Sequence, residues 1–458
     1  IYAGSYQGLI TRRDMRTGQT RDITVWPEAE IGSPARDVRY RFQWTFPLSL
    51  SPHDPHVLYT AGNQLFRSTD EGGAWESTSP DLTRADQSRL GDSGGPITND
   101  NCGTEYYGTI FAFAESPRQR GLLWAGSDDG LVHVSRDDGR TWARVTPPDL
   151  PEWALISIIE PSPHEPAVAY LAATRYKLDD FAPYLFKTDD FGQTWTRITT
   201  GLPENVFARV IRADPARRGL LYAGTETGVH VSFDDGATWR SLQLNLPVVP
   251  VHDLVVKGSD LVAATHGRSI WILDDLTPLH AYDERVRRSA AHLFAPRTAI
   301  RFTSDDPGGA PVPGVVNYSR SGAWVFAFDL VTTPEGEQER RLLDAGPNPH
   351  DGVYVTYHLK QRPEGELRLT FFDGAEQEIA SFSSEERKEP TSVAGDPRTR
   401  TDAPRRERTA TKAPKEAGLN RFYWDMRYPA ARPVNGYVTR SGVVAGPVAA
   451  PGRYTVRL

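Results

Sequence analysis

The chain has one cysteine, two methionines and no long apolar run, and each shortage closes off a class of protein. Cys102 alone excludes an intrachain disulfide framework and any multi-cysteine metal site. No window of about 18 or more apolar residues exists, so the sequence holds no transmembrane helix. Lysine is scarce beside arginine, and the formal net charge of -7 gives no bulk attraction for nucleic acid or an anionic membrane. The 11 histidines are dispersed, without spacing such as His-Glu-x-x-His, so no metal centre is expected. No glycine-rich loop opens a helix, which leaves a phosphate-bearing cofactor without a cradle. No cofactor is expected.

What is plentiful is turn chemistry. With 39 glycines, 36 prolines and 38% hydrophobic residues, the composition suits an all-β protein with many short strands. Four times the chain repeats one phrase: Ser68-x-Asp70-x-Gly72-x-x-Trp75, Ser135-x-Asp137-x-Gly139-x-x-Trp142, Thr188-x-Asp190-x-Gly192-x-x-Trp195 and Ser232-x-Asp234-x-Gly236-x-x-Trp239. Each copy suits a tight hairpin. The Asp carboxylate accepts hydrogen bonds from turn amides, and Gly supplies a positive φ. The Trp folds back onto apolar neighbours, which predicts four indoles mostly buried between structural repeats. This phrase resembles the Asp-box, or BNR repeat, of sialidase-like and sortilin-like β-propellers.

A second phrase frames the boxes, as in Leu58-Tyr59-Thr60-Ala61-Gly62, Leu123-Trp124-Ala125-Gly126 and Leu221-Tyr222-Ala223-Gly224. Pro-containing turns such as Ser51-Pro52-His53 and Ser162-Pro163-His164 precede it, and an apolar strand precedes each turn. The order is strand A, Pro turn, strand B, loop, strand C, box, strand D. Its period of roughly 40–65 residues is that of propeller blades. About six blades or part-blades fit within residues 1–280. The first lacks strand A, and the last, around Thr265–Trp271, has no box. Because a propeller closes on itself to remove sheet edges, the array reads as part of a larger one, with both chain ends resembling cuts in a longer polypeptide. From residue 290 to 458 the boxes vanish and alternating strands suggest an immunoglobulin- or fibronectin-like β-sandwich. A polar, charged stretch near 385–417 reads as a mobile loop within it.

Propeller geometry gathers the B–C loops and the approaches to strand A on one face, around the central channel. That rule nominates Arg41, Tyr106, Tyr107, Asp128, Arg175, Lys177, Asp180, His266 and Arg268 as ligand-binding residues. Asp179 and Glu226 are the catalytic candidates, since glycoside hydrolysis needs two carboxyl groups roughly 5–9.5 Å apart, with Glu105, Asp128 or Asp180 as further acids. The same carboxylates read equally as solvated or Arg-paired loop residues. Tyr106, Tyr107 and Trp153 suit stacking on a sugar ring or packing within a blade. His266 and Arg268 suit an anion or a structural hydrogen bond; His53 and His164 read as structural. The string Gly91-Asp92-Ser93-Gly94-Gly95-Pro96 matches one in chymotrypsin-like proteases, but no suitably placed His–Asp pair precedes it and the repeats leave no room for that fold.

Further phrases extend the resemblance over nearly the whole chain: Tyr40-Arg41-Phe42-Gln43-Trp44-Thr45-Phe46-Pro47, Trp124-Ala125-Gly126-Ser127-Asp128-Asp129-Gly130, Thr265-His266-Gly267-Arg268 and Leu419-Asn420-Arg421-Phe422-Tyr423-Trp424-Asp425. They resemble bacterial exported sortilin-like or BNR-repeat proteins often described as glycosyl hydrolase homologues. The resemblance implies a secreted, periplasmic or cell-surface protein that binds a peptide, protein or polysaccharide on its channel face. A sialidase- or xyloglucanase-like glycoside hydrolase is the alternative, and a structural subunit of a cell-surface assembly a third. The Arg-Ile-Pro string of sialidases is absent, and no residue here matches the xyloglucanase acids.

Overall fold

The computed structural model describes residues 1–28, 31–103, 106–301, 313–321, 324–332, 338–343, 352–385, 412–429 and 446–458. The chain divides into two compact units, Ile1–Leu273 and Asp274–Leu458.

The first unit is a β-propeller array, built from small antiparallel sheets in which each strand pairs with its sequence neighbour. Blade one holds β1 (Tyr2–Gly4), β2 (Ile10–Arg13) and β3 (Thr20–Asp22). Blade two holds β4 (Leu48–Leu50), β5 (Leu58–Ala61), β6 (Leu65–Ser68) and β7 (Glu76–Ser77). Blade three follows with β8 (Ile110–Glu115), β9 (Leu123–Ser127), β10 (Val132–Ser135) and β11 (Ala143–Arg144). Blade four has β12 (Leu155–Pro161), β13 (Ala169–Arg175), β14 (Asp180–Thr188) and β15 (Thr196–Arg197). Blade five has β16 (Ala208–Ala213), β17 (Leu221–Thr225), β18 (Gly228–Ser232) and β19 (Arg240–Ser241). Blade six has three strands, β20 (Val251–Lys257), β21 (Asp260–Thr265) and β22 (Ile270–Leu273).

The cores lie between blades, because each inner strand is apolar on both faces. On β13, Leu171 and Ala173 pack toward Trp124 and Val132 of blade three. Their neighbours Tyr170 and Ala172 pack the other way, toward Ile211, Leu221 and Ala223 of blade five. An isolated sheet could not bury both sets, so the sheets must stack.

The repeated box closes each stack. Ala74, Thr141, Thr194 and Thr238 donate their backbone N–H to the box carboxylates at 2.8–2.9 Å. For Asp190 the Thr194 hydroxyl and then its amide hold the carboxyl below its usual range. Gly72, Gly139, Gly192 and Gly236 adopt φ between 85° and 88°, as the repeat requires. The residue before each, Glu71, Asp138, Phe191 or Asp235, is also left-handed, so the turn needs two such residues where the sequence suggested one. The Trp indole N–H then crosses to the blade before: Trp75 to the Ile23 carbonyl, Trp142 to Thr78, Trp195 to Val145 and Trp239 to Ile198, at 2.7–3.1 Å. Trp239 is 3% exposed. Trp75, Trp142 and Trp195 keep a minor part of their surface exposed. Each of their N–H groups reaches a carbonyl just past the last strand of the preceding blade.

The left-handed position makes a second link. Arg12 pairs with Glu71, Arg67 with Asp138 at 2.5 Å, and Lys187 with Asp235 at 2.9 Å. Where that position is Phe191, the Arg136 guanidinium sits 4.0 Å above its ring. The histidines of the Pro turns serve likewise. His53 Nε2 lies 2.8 Å from the Ser116 carbonyl, and His164 Nε2 2.8 Å from that of Asp214.

The second unit opens with short helices α1 (Thr277–Ala281) and α2 (Glu284–Arg288). Strands β23 (Ala291–Leu293), β27 (Val353–Leu359) and β30 (Gly418–Trp424) form one sheet; β28 (Arg368–Phe372), β29 (Glu378–Ser383) and β31 (Thr455–Arg457) form another. A third comprises β24 (Asn317–Ser321), β25 (Trp324–Thr332) and β26 (Gln338–Leu342). Tyr357, Phe422 and Trp424 of the first sheet share a core with Leu369, Phe371 and Ile379 of the second. Phe371 stacks on Trp424 with centroids 4.5 Å apart. Residues 386–411 of the expected mobile loop lie outside the described residues. At its described end Ala413 is buried in this core, and Lys415 pairs with Glu385 at 2.7 Å.

Replacing Trp239 by Ala is predicted to destabilise the protein by about 3–5 kcal/mol, and the half-buried Trp195 by about 2 kcal/mol. Trp195→Phe keeps an aromatic ring but deletes the donor to Val145, at a cost of about 1–2 kcal/mol. Urea unfolding followed by circular dichroism measures all three; an unchanged midpoint for Trp195→Phe contradicts the role assigned to its N–H.

Candidate functional site

Loops at the ends of blades two, three and four assemble the first group of nominated residues. Arg41 is 7% exposed, and its guanidinium bonds inside the fold through Nε and one terminal nitrogen. It donates to Asp81 at 2.7 Å, to Thr83 at 3.1 Å and to the Gly108 carbonyl at 3.0 Å. Asn63 completes the knot, accepting from the Arg41 amide and donating to Asp81. Burial opposes the charge of Asp81, but hydrogen bonds from Thr83 and Asn63, and the Arg41 charge, outweigh it and hold the carboxyl low.

Asp128 sits beneath this knot at the end of β9, accepting from the amides of Gly108 (3.1 Å) and Thr109 (2.9 Å) and lying 2.8 Å from the Thr109 hydroxyl. Burial pushes its carboxyl up to about 7, and neighbouring Asp129 adds to the shift. Asp129 is raised too, chiefly by burial, while accepting from the Ser127 hydroxyl and the Arg84 amide. Tyr106 is buried and donates to the Ser33 carbonyl at 2.6 Å. Tyr107 is half-buried with its ring 5.8 Å from that of Trp153; burial, then Asp129 and Asp128, raise its hydroxyl pKa.

Trp153 has a positive φ of 64°, uncommon for a bulky residue and a mark of a constrained position. A Cβ on Gly130 would meet the Trp153 and Ala154 backbone at 3.1–3.3 Å, so glycine there is what lets this turn approach. The half-buried indole is flanked by Arg84 (4.5 Å) and Arg89 (5.3 Å). A cleft of about 380 Å³ opens beside it, lined by Arg84, Gly130, Arg144, Pro148, Leu150 and Glu152 among others.

The second group lies on blades four to six. Arg175 donates to the Glu152 carbonyl at 3.1 Å and pairs with Asp180 at 3.5 Å. Asp180 also accepts from the Tyr184 hydroxyl at 2.7 Å; burial works against its charge, but Tyr184, Ala182 and Arg175 keep the carboxyl low. Lys177 and Asp179 are exposed, on and just after a single turn at Tyr176–Leu178, with Asp179 left-handed at φ 58°. Tyr176 stacks on Phe207 at 4.8 Å and 9°, with Phe181 6.2 Å from Phe207. Arg209 lies 4.9 Å from the Tyr176 ring and 4.8 Å from Phe207, and donates to Glu226 at 3.0 Å. His252 and His266 stand 4.8 Å apart. Burial, Arg209 and His266 together lower the His252 pKa, opposed by Glu226. Arg268 is exposed, and its carbonyl accepts the Trp271 indole N–H at 2.8 Å. Glu105 lies outside the described residues.

The structure thus joins Arg41, Tyr107 and Asp128 around one site, and Glu226 and His266 around another, with Arg175 and Asp180 between. Sequence reasoning missed Asp81, Arg84, Arg89, Phe207 and Arg209. Of these only Arg209 lies on a strand, in strand A of blade five between Ala208 and Val210. Among the described residues no group of three His, Cys, Asp or Glu side chains stands close enough to hold a metal.

No family model matches the chain. No curated protein matches it either. Solved structures do. The xyloglucanase of family GH74 from Xanthomonas campestris is 16% identical over 79% of this chain, with a TM-score of 0.42. This chain spans 55% of that enzyme's length. YCF48 bound to the D1 peptide is 11% identical over 69% of this chain and 85% of its own, TM-score 0.39. The extracellular domain of a hybrid two-component system from B. thetaiotaomicron is 11% identical over 78% of this chain and 43% of its own, TM-score 0.37. No described helix is long and apolar enough to cross a membrane.

The Asp128 carboxyl gives a pH test with a definite sign. Burial carries it from the ordinary aspartate value of 3.8 to about 7 in the folded protein. Between those values the unfolded chain releases the proton while the folded chain keeps it, so this group's contribution falls as pH rises from 4 to 7. Asp128→Asn mimics the protonated acid: its oxygen accepts from Gly108 and Thr109, and its amide donates to the Thr109 hydroxyl. The variant should match wild type in melting temperature near pH 4 and exceed it near pH 8. A difference that does not change with pH contradicts the assigned shift.

Proposed function

We propose that the loop face of blades two to six binds an extended polymer, a polysaccharide or peptide, without cleaving it, in an exported protein whose second unit is an immunoglobulin- or fibronectin-type sandwich. One observation carries this reading. The half-buried rings of Trp153 and Tyr176 carry guanidiniums on their faces, Arg84 and Arg89 on the first and Arg209 on the second, and the carboxylates Asp180 and Glu226 are held in ion pairs by Arg175 and Arg209. Ring faces and guanidinium forks are recognition chemistry. A carboxylate tied into an ion pair is a poor nucleophile or acid.

A second reading has its own support. Asp128, pushed up to about 7 beside Asp129, has the proton affinity a general acid of glycoside hydrolysis needs. One experiment separates the two. The protein is titrated calorimetrically with a panel of polysaccharides and acidic peptides, and assayed for turnover on the same polysaccharides and on aryl glycosides. Saturable binding that Trp153→Ala weakens about tenfold, with no turnover, is the expected result. Turnover abolished by Asp128→Asn, Asp179→Asn or Glu226→Gln overturns it in favour of a hydrolase. Neither binding nor turnover points to a structural subunit.

A further inference from the structure

The cleft beside Trp153 differs in charge from the rest of its unit. The chain is net negative, and elsewhere partly buried guanidiniums meet a carboxylate: Arg67 with Asp138, Arg212 with Glu160, Arg209 with Glu226 and Arg175 with Asp180, at 2.5–3.5 Å. Around the cleft they do not. Arg84 and Arg144 line it, and Glu152 is the one acid among the lining residues. Arg84 is held in place by Asp129: its Nε donates to the Asp129 carbonyl and its amide to the Asp129 carboxylate, both at 2.8 Å. Its Nη1 stands 3.7 Å from Glu152, beyond hydrogen-bond reach, and neither terminal nitrogen has a hydrogen-bond partner among the described residues.

Arg89 and Arg144 are exposed, and their side chains make no hydrogen bond or ion pair among the described residues. Arg89 lies on the Trp153 ring with Arg84 and adds a third cation. The Arg144 charge is felt across its strand pair: burial and then Arg144 push His133, opposite it on β10, down to about 4. Guanidinium forks held without a bonded carboxylate are a receptor for an anion.

The walls narrow the kind of anion. Pro147, Pro148 and Pro151 carry no backbone N–H, and β11, the edge strand leading into them, is two residues long. An extended peptide added to a sheet edge is recognised through a main-chain ladder, which this cleft does not offer. A polymer of charged sugars has no amides to pair.

We propose that this cleft is a carboxylate subsite and that the polymer on the loop face is an acidic polysaccharide, its uronate carboxylates received by the guanidiniums of Arg84 and Arg144. The proposal rests on the loop-face binding reading and narrows it to one charge class.

Calorimetric titration of the full chain tests it, with polygalacturonate, alginate and hyaluronate as uronate polymers, set beside methyl-esterified polygalacturonate, dextran and poly-glutamate. At least one uronate polymer should bind saturably, and Arg84→Gln or Arg144→Gln should each weaken it about tenfold. Arg144→Lys, which keeps the charge and loses the fork, should weaken it too. Arg144 is exposed and unbonded, so its variants should keep the wild-type melting temperature and carry the test even if Arg84→Gln fails to fold. Esterified polymer bound as well as the free acid overturns the proposal. So do Arg144 variants that bind like wild type, and so does poly-glutamate bound more tightly than every uronate polymer. Binding of dextran or poly-glutamate with no uronate polymer bound overturns it and leaves the loop-face reading standing; binding of none of them overturns both.

Discussion

The indole N–H of each box is the contact on which the array depends. A hairpin that must place a Trp donor against the neighbouring blade has little freedom. Its carboxylate has to hold the turn amides, two successive residues have to be left-handed, and the ring has to lie along the inter-blade seam. Each such hydrogen bond is worth about 1 kcal/mol net, a modest sum. Its weight comes from position. The acceptors Ile23, Thr78, Val145 and Ile198 each follow a blade's outermost strand, so the staple fixes the rim while the apolar cores fix the middle. A cation on the preceding blade meets the left-handed box position at each of the four boxed junctions, by ion pair or by ring, and adds a second contact there.

With the rim held, the loops at the strand ends become a rigid surface. The Arg41 knot ties three loop segments together, and the buried pair Asp128 and Asp129 anchors the approaches to β8 and the chain at Arg84. Polar groups this enclosed are costly unless every partner is supplied, and here hydrogen bonds reach both acids. Rings and guanidiniums are thereby presented at defined positions, which is what recognition of an extended ligand needs.

The blades were legible in the sequence because their signals are local. A box spans a few residues, and the apolar inner strands sit at regular spacing from it. Tertiary facts were less so. That Trp239 is sealed while Trp75, Trp142 and Trp195 keep part of their surface exposed is decided by the packing between sheets, which no single repeat encodes. Repeat position alone puts Arg41, Tyr107, Asp128, Glu226 and His266 on loops or loop-proximal strand ends. It could not find that Arg84 and Arg89 flank Trp153, or that Arg209 lies against both Tyr176 and Phe207, because those partners sit on different blades. Nor could it tell that the Arg41 charge is spent inside the fold.

The most direct test of the staple is native-state hydrogen exchange on the full chain carrying Trp239→Phe. If the indole N–H couples blade five to blade four, amides of β16, β17 and β18 lose protection while those of β8, β9 and β10 keep theirs. Protection that stays unchanged in blade five, or falls equally through all blades, contradicts the account.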